Sequence, residues 1–247
     1  MPSNHDVIIV GSGPAGSTAA TALARRGRDV LLLDRAAFPR DKACGDGIPP
    51  GTVGILHDLG MAETLRAADF HRIDALRLVS ARGRDWRLDF TPRRDGADFF
   101  IAPRVRFDEV LRRHAIASGA RFQRAQVRAP LLENGRVVGV RAEIDGVENE
   151  IAARVVIGAD GATSAIARAL VPEKPPESHR AVAIQLWRWR RLYDNLDADV
   201  VSARGERRSN IRWNRELVVL PSALHDRKRG GSDELIRQAL GRARNES

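Results

Sequence analysis

Residues His5–Arg35 read HDVIIVGSGPAGSTAATALARRGRDVLLLDR, and this stretch decides the fold. Asp6–Val10 is a short apolar, β-branched run, the pattern of a buried strand. Gly11, Gly13 and Gly16 follow as G-x-G-x-x-G. Ser17–Arg26 is rich in alanine and reads as a helix. Val30–Leu33 is a second apolar strand that ends on Asp34. A glycine pattern gains meaning from this strand–turn–helix–strand setting. Gly11 permits a tight turn, Gly13 lets the backbone approach a pyrophosphate, and Gly16 lets helix and strand pack closely. The helix start offers open N–H groups and a partial positive charge to phosphate. Asp34 stands where an adenosine ribose would donate hydrogen bonds, and its charge disfavours the extra phosphate of NADP. A ligand-free turn is the plainer reading of the glycines alone. The two strands and the terminal acid favour dinucleotide binding.

Length and composition narrow the rest. A chain of 247 residues can bury one large core or two small ones. Its 43% hydrophobic content is that of an ordinary globular protein. It holds no apolar run of the ~18 residues that a membrane-spanning helix needs. The first strand begins almost at once, which leaves no room for a signal peptide. A single cysteine, Cys44, excludes an internal disulfide and points to a reducing cytoplasm. The net charge is +9. Residues 201–247 carry eleven Lys/Arg against six Asp/Glu, an excess of five and so over half of that charge. With little aromatic interleaving this is a poor nucleic-acid platform, and no nucleic-acid partner is expected. An arginine-rich surface is the plainer account of the charge, and attraction to phosphates or anionic lipid is the functional one.

The rest of the chain alternates strands and helices. Ala36–Gly51 is rich in Pro and Gly and reads as a loop. Thr52–Leu59 reads as a helix, with a further helical turn over Glu63–Ala68. Ala75–Ser80 and Asp85–Phe90 form a hairpin around Ala81–Arg84. Asp98–Ala102 is a strand and Arg106–Ser118 a helix stopped by Gly119. Arg121–Arg128 returns as a strand. Asn134-Gly135 turns a hairpin whose second strand runs through Val137–Ile144. Ile151–Ile157 is a strand, Ser164–Leu170 a helix, and Pro172, Pro175 and Pro176 a linker. Ala181–Trp189 and Ile211–Leu220 read as strands and Asp233–Arg242 as a short helix.

Two further clusters bear on chemistry. Gly158-Ala159-Asp160-Gly161-Ala162-Thr163-Ser164 places an acid between glycines, after a strand and before a helix. Its carboxylate suits a ribose or ribityl hydroxyl, or caps a tight turn. Pro103-Arg104-Val105-Arg106-Phe107-Asp108 sets an acid in the first turn of a helix, where the dipole favours it. Arg104 is placed to hold a phosphate or flavin-side group, or is a surface arginine. His57, His71, His114 and His179 show no metal-ligand spacing.

Taken together, G-S-G-P-A-G-S-T-A-A, F-P-R-D-K-A-C-G-D-G, P-R-V-R-F-D and G-A-D-G-A-T-S-A-I-A-R resemble the geranylgeranyl reductase family, over about residues 4–190. That group shares the para-hydroxybenzoate hydroxylase-like fold. The resemblance implies an α/β, Rossmann-like FAD-binding domain whose parallel sheet carries an antiparallel β insert, beside part of an antiparallel substrate-domain sheet. The FAD-binding part would comprise 1–70 and 98–172, the partial substrate sheet 71–97 and 178–220, and a basic tail 221–247. Gly11, Gly13, Ala15, Gly16, Asp34 and Arg35 would hold the AMP half of FAD. Arg104 would reach the ribityl–phosphate portion, Val127 would meet adenine through its backbone, Asp160 would take a hydroxyl, and Gly161 would let the backbone pass close to the ligand. Gly45 and Gly47 would line the flavin ring.

The implied reaction is reduction of C=C bonds in a prenyl-chain substrate, as in lipids, chlorophyll or quinone side chains. NADPH or reduced ferredoxin would be the electron donor. The basic surface would allow peripheral contact with a membrane. Isolated alkenes need a proton as well as a hydride, and Cys44 is the catalytic candidate. Arg40 and Lys42 beside it favour thiolate, so shaping the loop or touching the flavin is its other role. The family's last FAD motif, a strand ending in G-D-A-A, is absent here, so the chain reads as C-terminally truncated. An FAD-dependent aromatic monooxygenase and an inactive FAD-binding remnant are the alternative readings.

Overall fold

In the computed structural model the opening sequence becomes strand β1 (His5–Val10), helix α1 (Pro14–Ala24) and strand β2 (Val30–Asp34). The structure describes residues 5–42, 46–79, 85–171 and 216–219, with the backbone alone at 77–79, 85 and 216–219. β1 pairs in parallel with β2 on one side and with β11 (Val147–Gly158) on the other. Ile8, Ile9, Leu32 and Leu33 are completely buried. A central parallel strand is covered on both faces, so its sequence is an unbroken apolar run.

Side chains still alternate between the faces. Ile8, Val10, Leu31 and Leu33 enter one cluster with Val140 and Ile166. Val7, Ile9, Val30 and Leu32 enter the other with Ala20 of α1 and Ala115 of α4 (Arg104–Ala117). Burying a Leu- or Ile-sized side chain is worth about 1.5–3 kcal/mol, so this double-sided core is the main support of the nucleotide cleft.

The six-stranded sheet is completed by β8 (Arg121–Arg124), β9 (Gln126–Glu133) and β10 (Arg136–Ile144), in the order β8-β2-β1-β11-β10-β9. β8 is parallel to β2, whereas β10 is antiparallel to both β9 and β11. The single strand expected over Arg121–Arg128 is therefore two. Ala125 breaks it by donating its N–H to the Asp34 carbonyl at 2.9 Å, where the parallel ladder ends. The meander turns at Asn134-Gly135 and Asp145-Gly146, all four residues with positive φ, as tight two-residue hairpins require. α5 (Ala165–Leu170) follows β11, and the Ser164 hydroxyl caps it by accepting the Ala167 N–H at 2.9 Å.

The described chain divides into two compact units. The first holds Met1–Lys42, Gly54–Asp69 and Arg104–Ala181, hence the sheet just described and α3 (Ala62–Ala67). The second holds Ala43–Val53, Phe70–Pro103 and Val182–Ser247. Within it β3 (Gly47–Ile48), β4 (His71–Ile73) and β7 (Phe99–Ile101) form a small antiparallel sheet, β7 in the middle. β5 (Ala75–Val79) and β6 (Asp85–Asp89) form the expected antiparallel pair, and β12 (Glu216–Val219) joins β5 in parallel. Phe90 stacks on Phe99 at 5.3 Å.

The loop expected over Ala36–Gly51 ends early, because it contains β3 and the first turn of α2 (Pro50–Asp58). Pro50 suits that turn, where its missing N–H costs nothing. The strand expected at Ala181–Trp189, the helix at Asp233–Arg242 and the tail 221–247 lie outside the described residues. Among the described residues no helix is long and apolar enough to cross a membrane.

Two measurements test this core. A Cβ on Gly16 would stand 1.7 Å from the Gly11 carbonyl oxygen, whereas one on Gly54, inside α2, would meet nothing within 4 Å. Gly16→Ala is expected to cost more than ~3 kcal/mol, and Gly54→Ala to gain about 0.5–1 kcal/mol, in chemical denaturation. The second concerns Asp29. A hydrogen bond from Arg121 holds its carboxyl below 3.8; burial opposes this and His5 adds to it. Arg121 Nη2 donates to Asp29 Oδ1 at 2.6 Å, tying the start of β8 to the approach to β2. A depressed carboxyl stabilises the fold above its unfolded pKa and loses that contribution as pH falls through the folded one. The melting-temperature advantage of the native chain over Asp29→Asn should be full at neutral pH, begin to shrink at about pH 4 and vanish only at more acidic pH, below the depressed folded pKa.

Candidate functional site

The carboxyl ends of β1, β2 and β11 surround a cavity of about 500 Å³. Its floor is the turn from β1 into α1. Gly11 has a φ of 100°, a value that side chains rarely tolerate, and an added Cβ would lie 2.3 Å from the Ala159 carbonyl oxygen. Gly16 packs directly on Gly11. Gly13 is the N-cap of α1, Pro14 follows it, and no side chain caps this end and no acid occupies its first turn. The amides at the start of α1 therefore carry an uncompensated partial positive charge beside the cavity.

Asp34 sets the position of that turn. Its Oδ2 accepts the Ser12 N–H at 2.7 Å and its Oδ1 accepts the Ala36 N–H at 2.9 Å. Both bonds are charge-assisted, the stronger class. Each oxygen keeps a lone pair for a further donor. Asp160 is arranged in the same manner. Oδ2 accepts the Ala165 N–H at 2.7 Å, while Oδ1 is buried with no hydrogen-bond partner among the described residues. An orphaned acceptor of this kind at a cavity wall suits a ligand hydroxyl.

The cavity is electropositive. Arg35, Arg40, Lys42, Arg128 and Arg168 line it against Asp34, Asp41 and Asp160. Five cations against three anions in a recess favour a ligand carrying a diphosphate. Lys42 Nζ comes within 3.3 Å of where a Cβ on Gly161 would stand, so Gly161, with a φ of 83°, gives that ammonium its space. Ala125, Gln126, Val127 and Arg128 line the wall where the strands diverge. The cleft thus offers phosphate-binding amides, cations, an acid for ribose and an unpaired acid for a second hydroxyl. That donor and acceptor set fits the ADP half of FAD.

Of the residues singled out in the sequence, Gly11, Gly13, Asp34, Arg35, Val127 and Asp160 line the cavity. Ala15 and Gly16 belong to α1 just behind its floor. Arg104 does not line it. Its Nε and Nη2 donate to the two oxygens of fully buried Asp108 at 2.6 and 2.7 Å. Arg40, by contrast, lines the cavity, and its Nη2 also reaches Asp108 at 3.1 Å. Sequence reading had given Arg40 weight only as a neighbour of Cys44. Its pairing with an acid 68 positions away has no local signal. Gly47 lies in β3 of the second unit. Cys44 and Gly45 lie outside the described residues.

The profile of the FAD binding domain family matches residues 4–188. The menaquinone reductase of Mycobacterium tuberculosis is 39% identical over 189 residues, which cover 75% of this chain and 44% of that protein. A digeranylgeranylglycerophospholipid reductase of Methanopyrus kandleri is 38% identical over 70% of this chain and 44% of its own length. The chain therefore spans less than half the length of these relatives. Among solved structures, a myxobacterial chondrochloren halogenase matches with a TM-score of 0.63 and 34% identity, covering 68% of this chain and 39% of that one. A geranylgeranyl bacteriochlorophyll reductase-like protein of Thermoplasma acidophilum matches at 0.55 and 26%, covering 64% and 39%.

Asp34→Ala should lower FAD affinity ~10- to 100-fold and stability by about 2–4 kcal/mol, because it strips two charge-assisted bonds from the turn. Asp34→Asn, which leaves an acceptor for only one of the two amides, should fall between the two, by fluorescence titration and denaturation.

Proposed function

This chain belongs to the FAD-binding domain family, and from that premise we propose that it is the FAD-binding part of a reductase acting on C=C bonds of prenyl chains. The observation that carries the first half is the phosphate turn itself, with Asp34 bonded to Ser12 and the open start of α1 beside Arg40. In this reading the turn amides and Arg40 hold the diphosphate. Asp34 takes the ribose, Val127 meets the adenine and Asp160 Oδ1 accepts a hydroxyl. When bound, FAD supplies the two-electron transfer. NADPH or reduced ferredoxin would refill it.

The prenyl-chain half rests on the P-R-D-K-A-C-G-D-G segment and on the named reductases at 38–39% identity. A prenyl chain is apolar and lives in or at bilayers. The net charge of +9 suits contact with an anionic lipid surface. Cys44 is the candidate to hold the proton that an isolated alkene requires. The likeness to a flavin-dependent halogenase supports a second reading, in which the same nucleotide cleft serves oxygen-dependent chemistry.

One experiment separates them. The chain is loaded with FAD, desalted, reduced without oxygen and mixed with a prenyl diphosphate. The reductase reading expects reoxidation of the flavin and a product heavier by two hydrogens per bond, lost in Cys44→Ala if that thiol holds the proton. Retained flavin that the prenyl diphosphate leaves reduced would overturn the reductase reading, and an aromatic substrate hydroxylated or halogenated once oxygen is admitted would favour the second. A chain that retains no flavin would overturn both.

A further inference from the structure

Arg40 sits in the stretch from Ala36 to Lys42, which forms no helix or strand and so gives its side chains no fixed platform. The structure holds it by other means. Asp108, completely buried on α4, forms an ion pair with Arg40 Nη2 at 3.1 Å and accepts the two hydrogen bonds from Arg104. The Phe38 ring lies under the same guanidinium, its centroid 5.1 Å from Arg40 Cζ. A second guanidinium reaches that ring. Arg112 Cζ is 5.2 Å from the Phe38 centroid and 4.7 Å from that of Phe122, and the two rings meet edge to face at 6.2 Å.

Two cations around one ring repel unless each is balanced. The adjacent acids of α4 offset this repulsion. Asp108, shared with Arg104, pairs with Arg40, and Glu109, shared with Arg113, accepts from both Arg112 Nε and Nη2 at 2.9 Å. The result is a clamp in which one ring, two arginines and two consecutive acids fasten the loop to α4. Its inner end is Arg40 Nη2, 3.5 Å from where a Cβ on Gly13 would stand, at the cap of α1. Arg40 Nη1 is buried and has no partner among the described residues. An arginine on an open loop surrenders side-chain freedom when it grips an anion. Arg40 has surrendered it on folding, and a preorganised group binds more tightly for that reason.

We propose that Phe38 is a positioning residue, which with Asp108 holds the Arg40 guanidinium at the phosphate turn so that the diphosphate of a dinucleotide meets a fixed cation. This rests on the dinucleotide reading above. Phe38 touches no ligand itself; it acts through Arg40.

The test is a double-mutant cycle on the full chain, read as FAD affinity by flavin fluorescence at low and high NaCl. Arg40→Met should weaken FAD ~10- to 100-fold and flatten the salt dependence, as loss of one charged contact does. Phe38→Leu should weaken FAD ~3- to 10-fold in the native background but less than about twofold in Arg40→Met, because residues acting as one unit are not additive. Phe38→Tyr, which keeps the ring face, should restore the native affinity. If Phe38→Leu does not fold, Arg112→Met takes its place in the cycle with the same expected coupling to Arg40. Equal losses from Phe38→Leu in both backgrounds, or a Tyr variant as weak as Leu, would overturn the clamp and leave the dinucleotide reading standing. A native chain that binds no FAD would overturn both.

Discussion

The Asp34 carboxylate, with one oxygen on the Ser12 amide and the other on the Ala36 amide, is the contact on which the rest of the site depends. It joins the end of β2 to the turn that leaves β1, two segments adjacent only because β1 and β2 are paired in parallel. With it, the turn is held where the start of α1 faces the cavity. Gly11 and Gly16 supply the second constraint. Their backbones approach so closely that neither tolerates a methyl group. Each charge-assisted bond of Asp34 is worth about 1.5–3 kcal/mol, a large share of the 5–15 kcal/mol by which a domain is typically stable. The binding surface and the fold are thus secured by the same few atoms.

The first unit was largely legible in sequence, for a physical reason. Parallel strands buried on both faces must be continuous apolar runs, and Val30–Leu33 and Val7–Val10 are such runs. The hairpin at Asn134-Gly135 was equally plain, because few residues other than Gly and Asn accept positive φ. Asp145-Gly146 carries the same signal and went unused; it marks the true start of β11, four residues ahead of the expected one. The division of Arg121–Arg128 into β8 and β9 was hidden, since nothing in that run announces that Ala125 bonds to Asp34. β4 was missed because three residues of mixed polarity give no period to read.

The site was legible where backbone conformation dictates residue type and obscure where long side chains meet across the chain. Gly11, Gly13, Asp34 and Asp160 could be placed from spacing alone. The exchange of roles between Arg104 and Arg40 could not. Both are arginines near acids in sequence, and only the fold decides that Asp108 draws Arg104 away from the cavity while leaving Arg40 at its edge. Arginine-rich composition blurs such choices. With 41 basic residues in the chain, the identity of the one at the phosphate turn rests on which of them finds a buried acid and a ring to lie on.

The central claim is that the cleft between β1, α1 and β2 receives the diphosphate of FAD. Hydrogen exchange of the full chain with and without FAD tests it most directly. The account predicts slowed exchange in peptides spanning 11–18 and 34–42, where the turn amides and the Arg40 loop close on the ligand. Slowed exchange confined to other segments, with 11–18 unchanged, would contradict it.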